Sequence, residues 1–194
     1  TPAEVEPAAP PEASFSVDLL SGYAGVTVFS FTDSSVPGEG GAPIGAWDWT
    51  FSDGTNSAEQ HPTHIFQSEG SYTVGLNVTD ENGQIGSYTL ETPIAIDPSP
   101  PVADAGSDTS VFEFSELTLS GASSYDPDGE IISYAWYLTE DQNIPLSNDI
   151  TCTIDTIPEY KSIGNNSYSY TLYVFDDDGY KSIKNTQIET SIYF

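Results

Sequence analysis

Short stretches in which apolar and polar residues alternate run along the chain, and clusters of glycine, asparagine, aspartate and serine separate them. An alternation with a period of two is typical of strands that bury one face. In the clearest stretch, residues 72–79, every second side chain from Tyr72 to Val78 is large and apolar. No window of helical length keeps an apolar stripe with a period of 3.6 residues. The pattern therefore predicts an all-β protein.

The strand pattern of residues 72–79 occurs a second time at residues 168–174, and each copy runs into an acidic turn that ends in glycine. Upstream of each copy lies a tryptophan, Trp49 or Trp136, in the middle of a predicted strand. A large aromatic side chain at that place is typical of the space between the two sheets of an immunoglobulin-like (Ig-like) sandwich. The repeat therefore predicts two tandem Ig-like β-sandwiches.

Two proline-rich segments mark the predicted domain boundaries. Residues 1–12 are rich in proline, alanine and glutamate, a composition that favours an extended spacer. Residues 98–101 contain three prolines, which remove backbone donors and end strands. We therefore predict an N-terminal arm or linker at 1–12, a first sandwich at 13–97, a hinge at 98–101 and a second sandwich at 102–194.

Acidic residues dominate the charge, because the 194 residues include 30 Asp and Glu against three Lys, for a formal net charge of -27. Such a surface repels nucleic-acid backbones and anionic lipid, and no apolar run approaches the roughly 18 residues of a membrane helix. We therefore expect neither nucleic-acid binding nor membrane insertion. The hydrophobic fraction of 37% is too high for a disordered acidic tail. The expected environment is extracellular and rich in salt or divalent cations, which screen the charge.

The sequence contains no recognisable catalytic motif. Cys152, the single cysteine, has no histidine in its own half, and no G-x-S-x-G elbow, P-loop or dinucleotide fingerprint occurs. His61 and His64 have no third ligand nearby to complete a zinc site, so a structural role is favoured for His64. We therefore predict a protein without enzymatic activity. Since the sequence begins without an initiator Met or a signal peptide, we expect it to be processed or excised from a longer chain.

The first half carries a family signature. The run W-T-F-S-D-G at residues 49–54, followed by His64, Phe66 and residues 72–80, resembles the signature of polycystic kidney disease (PKD) domains. These domains are Ig-like modules of extracellular proteins. Two departures from the family pattern are mild: Ser52 stands where glycine is usual, and Phe66 where tyrosine is usual. The resemblance implies a PKD-type sandwich in the first half.

The second half resembles the same family more distantly. Residues 101–106, 126–129 and 133–136 are similar to the opening of a PKD domain, but Trp136 is followed by Y-L-T-E, without the G-D-G turn. The resemblance therefore implies a second, divergent PKD-type sandwich whose loops differ from those of the first.

Acidic turns of the second half are the candidate metal site. They contribute five carboxylates: Asp126, Asp128, Asp176, Asp177 and Asp178. Ca²⁺ prefers several oxygen ligands from carboxylates and loop carbonyls, and the resemblance adds that some PKD-like modules of secreted enzymes bind calcium. The spacing is not that of an EF-hand. The alternative is that these are ordinary turns, in which Asp caps the backbone and Gly accepts a positive φ. No cofactor is required in either case, and Ca²⁺ is the candidate ligand.

Aromatic residues are candidates for polymer binding. Trp47 lies two residues before Trp49, so alternation places both on one face. Both tryptophans then belong to the core, or Trp47 belongs to an exposed aromatic row that binds sugar rings or collagen-like chains, as in PKD modules of some secreted hydrolases. Tyr168, Tyr170 and Tyr173 permit a similar row in the second half, although tyrosines more often fill and flank a sandwich.

Two N-x-S/T sequences are candidate glycosylation sites, at Asn77 and Asn165. Asn77 lies on the predicted outward face of its strand, where a glycan has to be. The pattern is also common by chance.

Together these features predict a non-enzymatic extracellular structural or adhesive protein, a self-assembling component of a cell-surface layer, filament or virion surface. The resemblance gives this context, because PKD modules are common in prokaryotic, notably archaeal, cell surfaces. In this hypothesis a neighbouring subunit holds residues 1–12 as an added strand or extended arm. The alternative is an accessory spacer or polymer-binding module of a secreted protease, chitinase or polysaccharide lyase, with an extracellular polysaccharide or protein polymer as partner. A third and less favoured hypothesis is a small hydrolase that uses a pair of acidic residues.

Overall fold

The computed structural model describes residues 8–112, 115–155 and 166–191. This part of the chain forms sixteen β-strands and no helix, so it holds no helix that crosses a membrane. The predicted all-β class is confirmed. The chain divides into two compact units between Pro98 and Ser99. We call these units domain 1 and domain 2.

Domain 1 contains ten of the strands in the described residues. They are β1 (Phe15–Val17), β2 (Ser21–Tyr23), β3 (Phe29–Asp33), β4 (Ile44–Phe51), β5 (Asn56–Ser57), β6 (Thr63–His64), β7 (Gly70–Tyr72), β8 (Val74–Asp80), β9 (Ile85–Thr89) and β10 (Ile94–Asp97). One sheet has the order β5-β4-β8-β9, and two smaller sheets have the orders β1-β3-β6 and β2-β10-β7. Strands β2 and β10 are parallel, and the other pairs are antiparallel.

The core of domain 1 is rich in aromatic rings. Trp49 is completely buried, and its ring centroid lies 4.8 Å from that of Phe15 and 5.7 Å from that of Phe31. Its indole N–H donates a hydrogen bond of 2.8 Å to the carbonyl of Glu59. Other buried members of this core are Phe29, Phe51, Phe66, Val74, Leu76, Val78, Ile94 and Ile96. The tryptophan that the repeat placed inside the first sandwich therefore lies at its centre.

The stretch predicted as one strand over residues 72–79 is divided at Thr73 in the structure. Tyr72 ends β7 and pairs with β10, whereas Val74 begins β8 and pairs with β4. The Thr73 N–H donates to Ser52 Oγ over 2.9 Å, and the Ser52 N–H donates to the Thr73 carbonyl over 3.0 Å. These bonds to a distant turn hold Thr73 where the chain passes from one sheet to another.

Domain 2 contains six strands in the described residues. They are β11 (Thr109–Phe112), β12 (Leu117–Ser120), β13 (Ile131–Leu138), β14 (Thr151–Ile154), β15 (Asn166–Asp176) and β16 (Lys181–Ser191). Four strands form a sheet with the order β11-β16-β15-β13, and β12 pairs with β14. Strands β11 and β16 are parallel, whereas the other pairs are antiparallel.

The core of domain 2 surrounds Trp136, which is completely buried. The buried residues of this cluster also include Leu117, Leu119, Cys152, Tyr170, Leu172, Val174 and Ile188. Burial alternates along β15 from Leu172 to Asp176 as it does along β8, so the two copies of the repeat occupy equivalent places in their domains; Thr171, on the other side of β15, is also buried. Unlike that of Trp49, the Trp136 indole N–H is buried without a hydrogen-bond partner.

The described part of the proline-rich arm, residues 8–12, lies on domain 1. Glu12 and Val36 exchange backbone hydrogen bonds of 2.9 and 3.0 Å, the Ala9 N–H donates to the Glu39 carbonyl over 3.1 Å, and Pro11 is buried. At Gly86 a Cβ would collide with the Pro11 carbonyl, so glycine permits this close approach. The described residues 8–12 are therefore held by their own domain and not by a neighbouring subunit as expected, and self-association stays a prediction. Residues 1–7 lie outside the described residues.

Candidate metal centre

Three carboxylates predicted as metal ligands lie in two loops at one end of domain 2. Asp176 is the last residue of β15, and Asp126 and Asp128 lie in the loop that leads to β13. Because β13 and β15 are antiparallel and Ile131 is opposite Asp176, the start of one strand meets the end of the other. The sheet register thus brings together residues that are about 50 positions apart in sequence.

Backbone contacts fasten the two loops to each other. The Asp177 N–H donates to the Glu130 carbonyl over 3.2 Å, and the Glu130 N–H donates to Asp177 Oδ1 over 2.9 Å. At Gly129 a Cβ would collide with Asp177 Oδ1 and would lie 3.1 Å from Asp126 Oδ2. Glycine at position 129 thus leaves room for the close approach of two carboxylates, and any larger residue would displace the Asp177 side chain. The positive φ expected of a turn glycine is found instead at Gly179, where φ is 88°.

The Asp128 carboxylate is held by the segment that begins domain 2. The Ser99 N–H lies 3.2 Å from Asp128 Oδ1 and 3.1 Å from Oδ2 and donates to this carboxylate. The Asp128 N–H in turn donates to Asp126 Oδ1 over 3.3 Å. Hydrogen bonds within the protein therefore hold these two aspartates in place without a ligand.

Two carboxylate oxygens of this region are buried without a hydrogen-bond partner, namely Asp126 Oδ2 and Asp176 Oδ2. Asp176 is completely buried, and its other oxygen accepts the Tyr180 N–H over 2.6 Å. Burial raises the pKa of Asp126, and although the Asp128 N–H opposes this, the side-chain interaction with Asp128 and the charges of Asp128 and Asp176 raise it further. Buried carboxylate oxygens normally have partners, so the local electrostatics favour a positive group between the two loops.

The complete set of five predicted ligands is not assembled. Asp177 and Asp178 are exposed in the turn after β15. Within the described ranges, no group of three or more His, Cys, Asp or Glu residues is placed so that it could hold a metal ion. Two buried oxygens on facing loops are therefore what the structure provides, and calcium binding stays a prediction.

Domain 1 has a counterpart of Asp176 in Asp80, at the end of β8. Asp80 is 4% exposed, and its Oδ1 accepts the N–H groups of Asn82 and Gln84 over 2.9 and 2.8 Å. Its Oδ2 is buried without a partner. The loop before β4, residues 34–43, contains one carboxylate, at Glu39, where the domain 2 loop has the Asp126 and Asp128 pair. Domain 1 thus retains the turn and lacks the second acidic loop.

His64 has structural partners in domain 1. Its Nε2 lies 2.7 Å from Asp53 Oδ2, and its ring stacks on Phe51 with centroids 4.1 Å apart. Thr55 donates to Asp53 Oδ1 through its hydroxyl over 2.7 Å and through its N–H over 2.9 Å. This network links the W-T-F-S-D-G turn to β6.

The stability of domain 1 is expected to fall at acidic pH through Asp53. Burial alone would raise the pKa of this carboxyl, but hydrogen bonds from Thr55 and His64 outweigh burial and lower it. Because the pKa of this carboxyl is lower in the folded than in the unfolded state, its ionised form stabilises domain 1 at pH values above the unfolded-state pKa. This stabilisation is lost as the pH falls below about 4. We therefore expect Asp53→Asn to flatten the acid limb of the domain 1 melting temperature measured by calorimetry. Equal slopes for the two proteins would contradict this role.

Trp47 is partly buried and packs against the core of domain 1. Its indole N–H donates to Asp33 Oδ2 over 2.8 Å, and the Gln60 side chain donates to the same oxygen over 3.0 Å. This placement favours the core alternative over an exposed polymer-binding row. In domain 2, Tyr170 is buried, whereas Tyr173 lies on the opposite side of β15.

Of the two candidate glycosylation sites, one falls within the described residues. Asn77 lies on the outward face of β8 and is partly buried, and its Oδ1 accepts the Ser87 hydroxyl over 2.7 Å. Asn165 lies outside the described residues. Glycosylation of both positions stays a prediction.

Comparisons with known proteins agree with the domain division. A PKD domain model matches residues 9–96, and a K319L-like PKD domain model matches residues 105–189. The chain is 27% identical to collagenase ColA of Bacillus cereus over 133 residues, which cover 68% of the chain and 13% of the collagenase. It is 31% identical to pre-pro-metalloprotease PrtV of Vibrio cholerae over 114 residues, which cover 59% of the chain and 12% of PrtV.

A solved structure of the PKD1 domain of Vibrio cholerae PrtV is also similar. It is 26% identical, with a TM-score of 0.38, and the match covers 46% of this chain and 99% of that domain. The chain matches only about an eighth of the length of these two curated relatives, so the similarity is at the level of domains. Two PKD domains in tandem, the second of the K319L-like type, therefore make up the matched parts of this chain, which belongs to the PKD domain family.

Proposed function

We propose that this chain is a non-catalytic accessory region of a larger extracellular protein and that its two PKD domains hold that protein on an extracellular polymer. The observation that carries the proposal is the extent of the similarity to collagenase ColA. The match takes in 68% of this chain but 13% of the collagenase. The match is thus confined to a small part of a much longer enzyme. The net charge of -27 supports an extracellular place, where cations screen it.

Self-assembly through the proline-rich arm is the less supported alternative. Residues 8–12 form backbone bonds with their own domain, which gives no support to their use as an added strand for a second subunit. An accessory module of a larger protein does not require residues 8–12 to contact a second subunit. The accessory role is therefore the function that the geometry supports best.

We also propose that domain 2 binds one Ca²⁺ between its two acidic loops. Asp126 and Asp176 each direct a buried, unpartnered carboxylate oxygen into this region, and Asp128 lies beside them. These hard oxygen donors fit calcium. A bound ion would neutralise the charge that now raises the pKa of Asp126, and it would tie the loop before β13 to the end of β15.

Polymer binding is tested with the purified chain and a panel of insoluble polymers: collagen fibres, chitin and cellulose. We expect the chain to be retained on at least one polymer more strongly than an unrelated protein of similar acidity. The reason is that a polymer-holding module stays bound to its polymer during washing. The measurement is the bound fraction at increasing protein concentration. Retention equal to that of the acidic control on every polymer would contradict the polymer-holding role.

A further inference from the structure

The four-stranded sheet of domain 2 has a second surface on the side opposite its core. Tyr170, Leu172 and Val174 of β15 are buried in the core, so the alternate residues of this strand point the other way. The register with β13 and β16 places them in three rows. We call this surface the outer face, and its rows are Ser133–Phe175–Lys181, Ala135–Tyr173–Ile183 and Tyr137–Thr171–Asn185. Ala135 and Thr171 are themselves buried, so the accessible part of the face consists of the other side chains.

The outer face contains no carboxylate in these rows, although the chain has 30 acidic residues. An acidic side chain first occurs on β16 two rows further along, at Glu189. The one charged group of the three rows is Lys181, whose ammonium lies 5.4 Å from the centroid of the Tyr173 ring. A neutral partner that covers a charged group removes its water, which costs desolvation energy. Because these rows contain one charged group, this cost is small for the outer face.

Tyrosine rings on the outer face are held in a fixed arrangement. The rings of Tyr137 and Tyr173 are 5.4 Å apart at an angle of 81°, and both are partly exposed. The Tyr173 hydroxyl donates to Gln142 Oε1 over 2.6 Å, which fixes the orientation of this ring. Ile183, in the same row, is 50% exposed. The two rings and Ile183 therefore form a preorganised apolar patch within the outer face, which reduces the entropy lost on binding.

The equivalent surface of domain 1 has a different composition. The repeat places Thr50 of β4 and Asn77 of β8 where Tyr137 and Tyr173 lie in domain 2. The rows across β4, β8 and β9 there consist of Ala46–Thr79–Ile85, Asp48–Asn77–Ser87 and Thr50–Gly75–Thr89. Small polar residues thus replace the aromatic rings, and Asp48 adds a carboxylate. The aromatic surface is specific to domain 2.

We propose that the outer face of domain 2 binds a neutral polysaccharide, with sugar rings stacked on Tyr137 and Tyr173. This inference rests on the proposed polymer-holding function and names its site and polymer class. Pyranose rings present apolar faces that pack on aromatic rings, and their hydroxyl groups both donate and accept hydrogen bonds. The exposed amides of Asn185 and Gln187 do the same. A neutral chain also avoids the repulsion that a polyanion meets from the -27 charge.

The test measures retention of the full chain on cellulose and chitin, with collagen fibres as the protein polymer. We expect binding to a polysaccharide and a loss of affinity of about tenfold or more in the double variant Tyr137→Ala/Tyr173→Ala, because two stacking rings are removed. The double variant Tyr137→Phe/Tyr173→Phe keeps both rings and is expected to keep most of the affinity. Circular dichroism and thermal melting establish that each variant is folded.

Two variants in domain 1 are the matched controls. Thr50→Ala changes the position equivalent to Tyr137, and Tyr23→Ala removes a tyrosine that is 51% exposed but lies elsewhere. Both are expected to bind like the unchanged protein. Retention on a polysaccharide that the double alanine variant keeps would overturn the site while leaving the polymer-holding function in place. Retention on collagen alone would overturn the polysaccharide, and retention on no polymer would overturn both proposals.

Discussion

Substitution of Trp49 by alanine is expected to destabilise domain 1 by about 3–5 kcal/mol, the range typical of a large aromatic residue removed from a core. Trp49 is completely buried against Phe15 and Phe31, and its N–H satisfies the Glu59 carbonyl. A loss of this size is a large fraction of the roughly 5–15 kcal/mol that stabilises a domain. Calorimetry of the whole chain measures it as a loss or a strong downward shift of the domain 1 transition.

Phenylalanine substitutions provide an internal control for this prediction. Trp49→Phe leaves the Glu59 carbonyl without its donor, whereas Trp136→Phe removes an N–H that is buried without a partner. An unsatisfied buried group costs about 1–3 kcal/mol, and phenylalanine at position 136 removes this cost by removing the N–H. We therefore expect Trp136→Phe to be less destabilising than Trp49→Phe, although both create a cavity. A larger loss in Trp136→Phe would show that shape, and not hydrogen bonding, distinguishes the two cores.

Calcium is expected to raise the melting temperature of domain 2 and to leave that of domain 1 unchanged. An ion that binds only the folded state stabilises it by about 2.7 kcal/mol at a hundredfold excess over Kd. Asp176→Asn removes one charge from the proposed site and is expected to abolish most of this response. In chelator the same variant should be no less stable than the unchanged protein, because it also removes a charge that raises the pKa of Asp126.

The matched control for the calcium experiment is Asp80→Asn. Asp80 has the same position in domain 1 and the same unpartnered oxygen, but its domain lacks the second acidic loop. Its substitution is expected to leave the calcium response of domain 2 intact. A calcium response that survives in Asp176→Asn, or a melting temperature that calcium does not change in the original protein, would contradict the proposed site.

The structure changes the relative standing of the two functional hypotheses. The self-assembly hypothesis placed residues 1–12 on a neighbouring subunit, whereas the described residues 8–12 lie on domain 1. The accessory-module hypothesis requires a surface for a polymer. Trp47, the residue singled out for that purpose, packs against the core and bonds to Asp33. The outer face of domain 2 is the surface that we propose for this role.

Local pattern was sufficient to predict the strands and the repeat. The period-two alternation of β8 and β15 follows from the geometry of a strand, in which successive side chains point to opposite faces. Trp49 and Trp136 could be placed in the two cores because a large aromatic side chain in the middle of a repeated strand is best accommodated between the two sheets. These features depend on residues that are close in sequence, so the sequence alone determined them.

Contacts between distant residues were decided only by the tertiary structure. The division of the predicted strand at Thr73 depends on bonds to Ser52, and the docking of residues 8–12 depends on Val36 and Glu39. The sequence identified Asp126 and Asp176 as candidates, but the register of β13 against β15 is what places their loops side by side. The outer face likewise exists only through the pairing of three strands, because a single strand specifies which residues share a side but not which neighbours complete the surface.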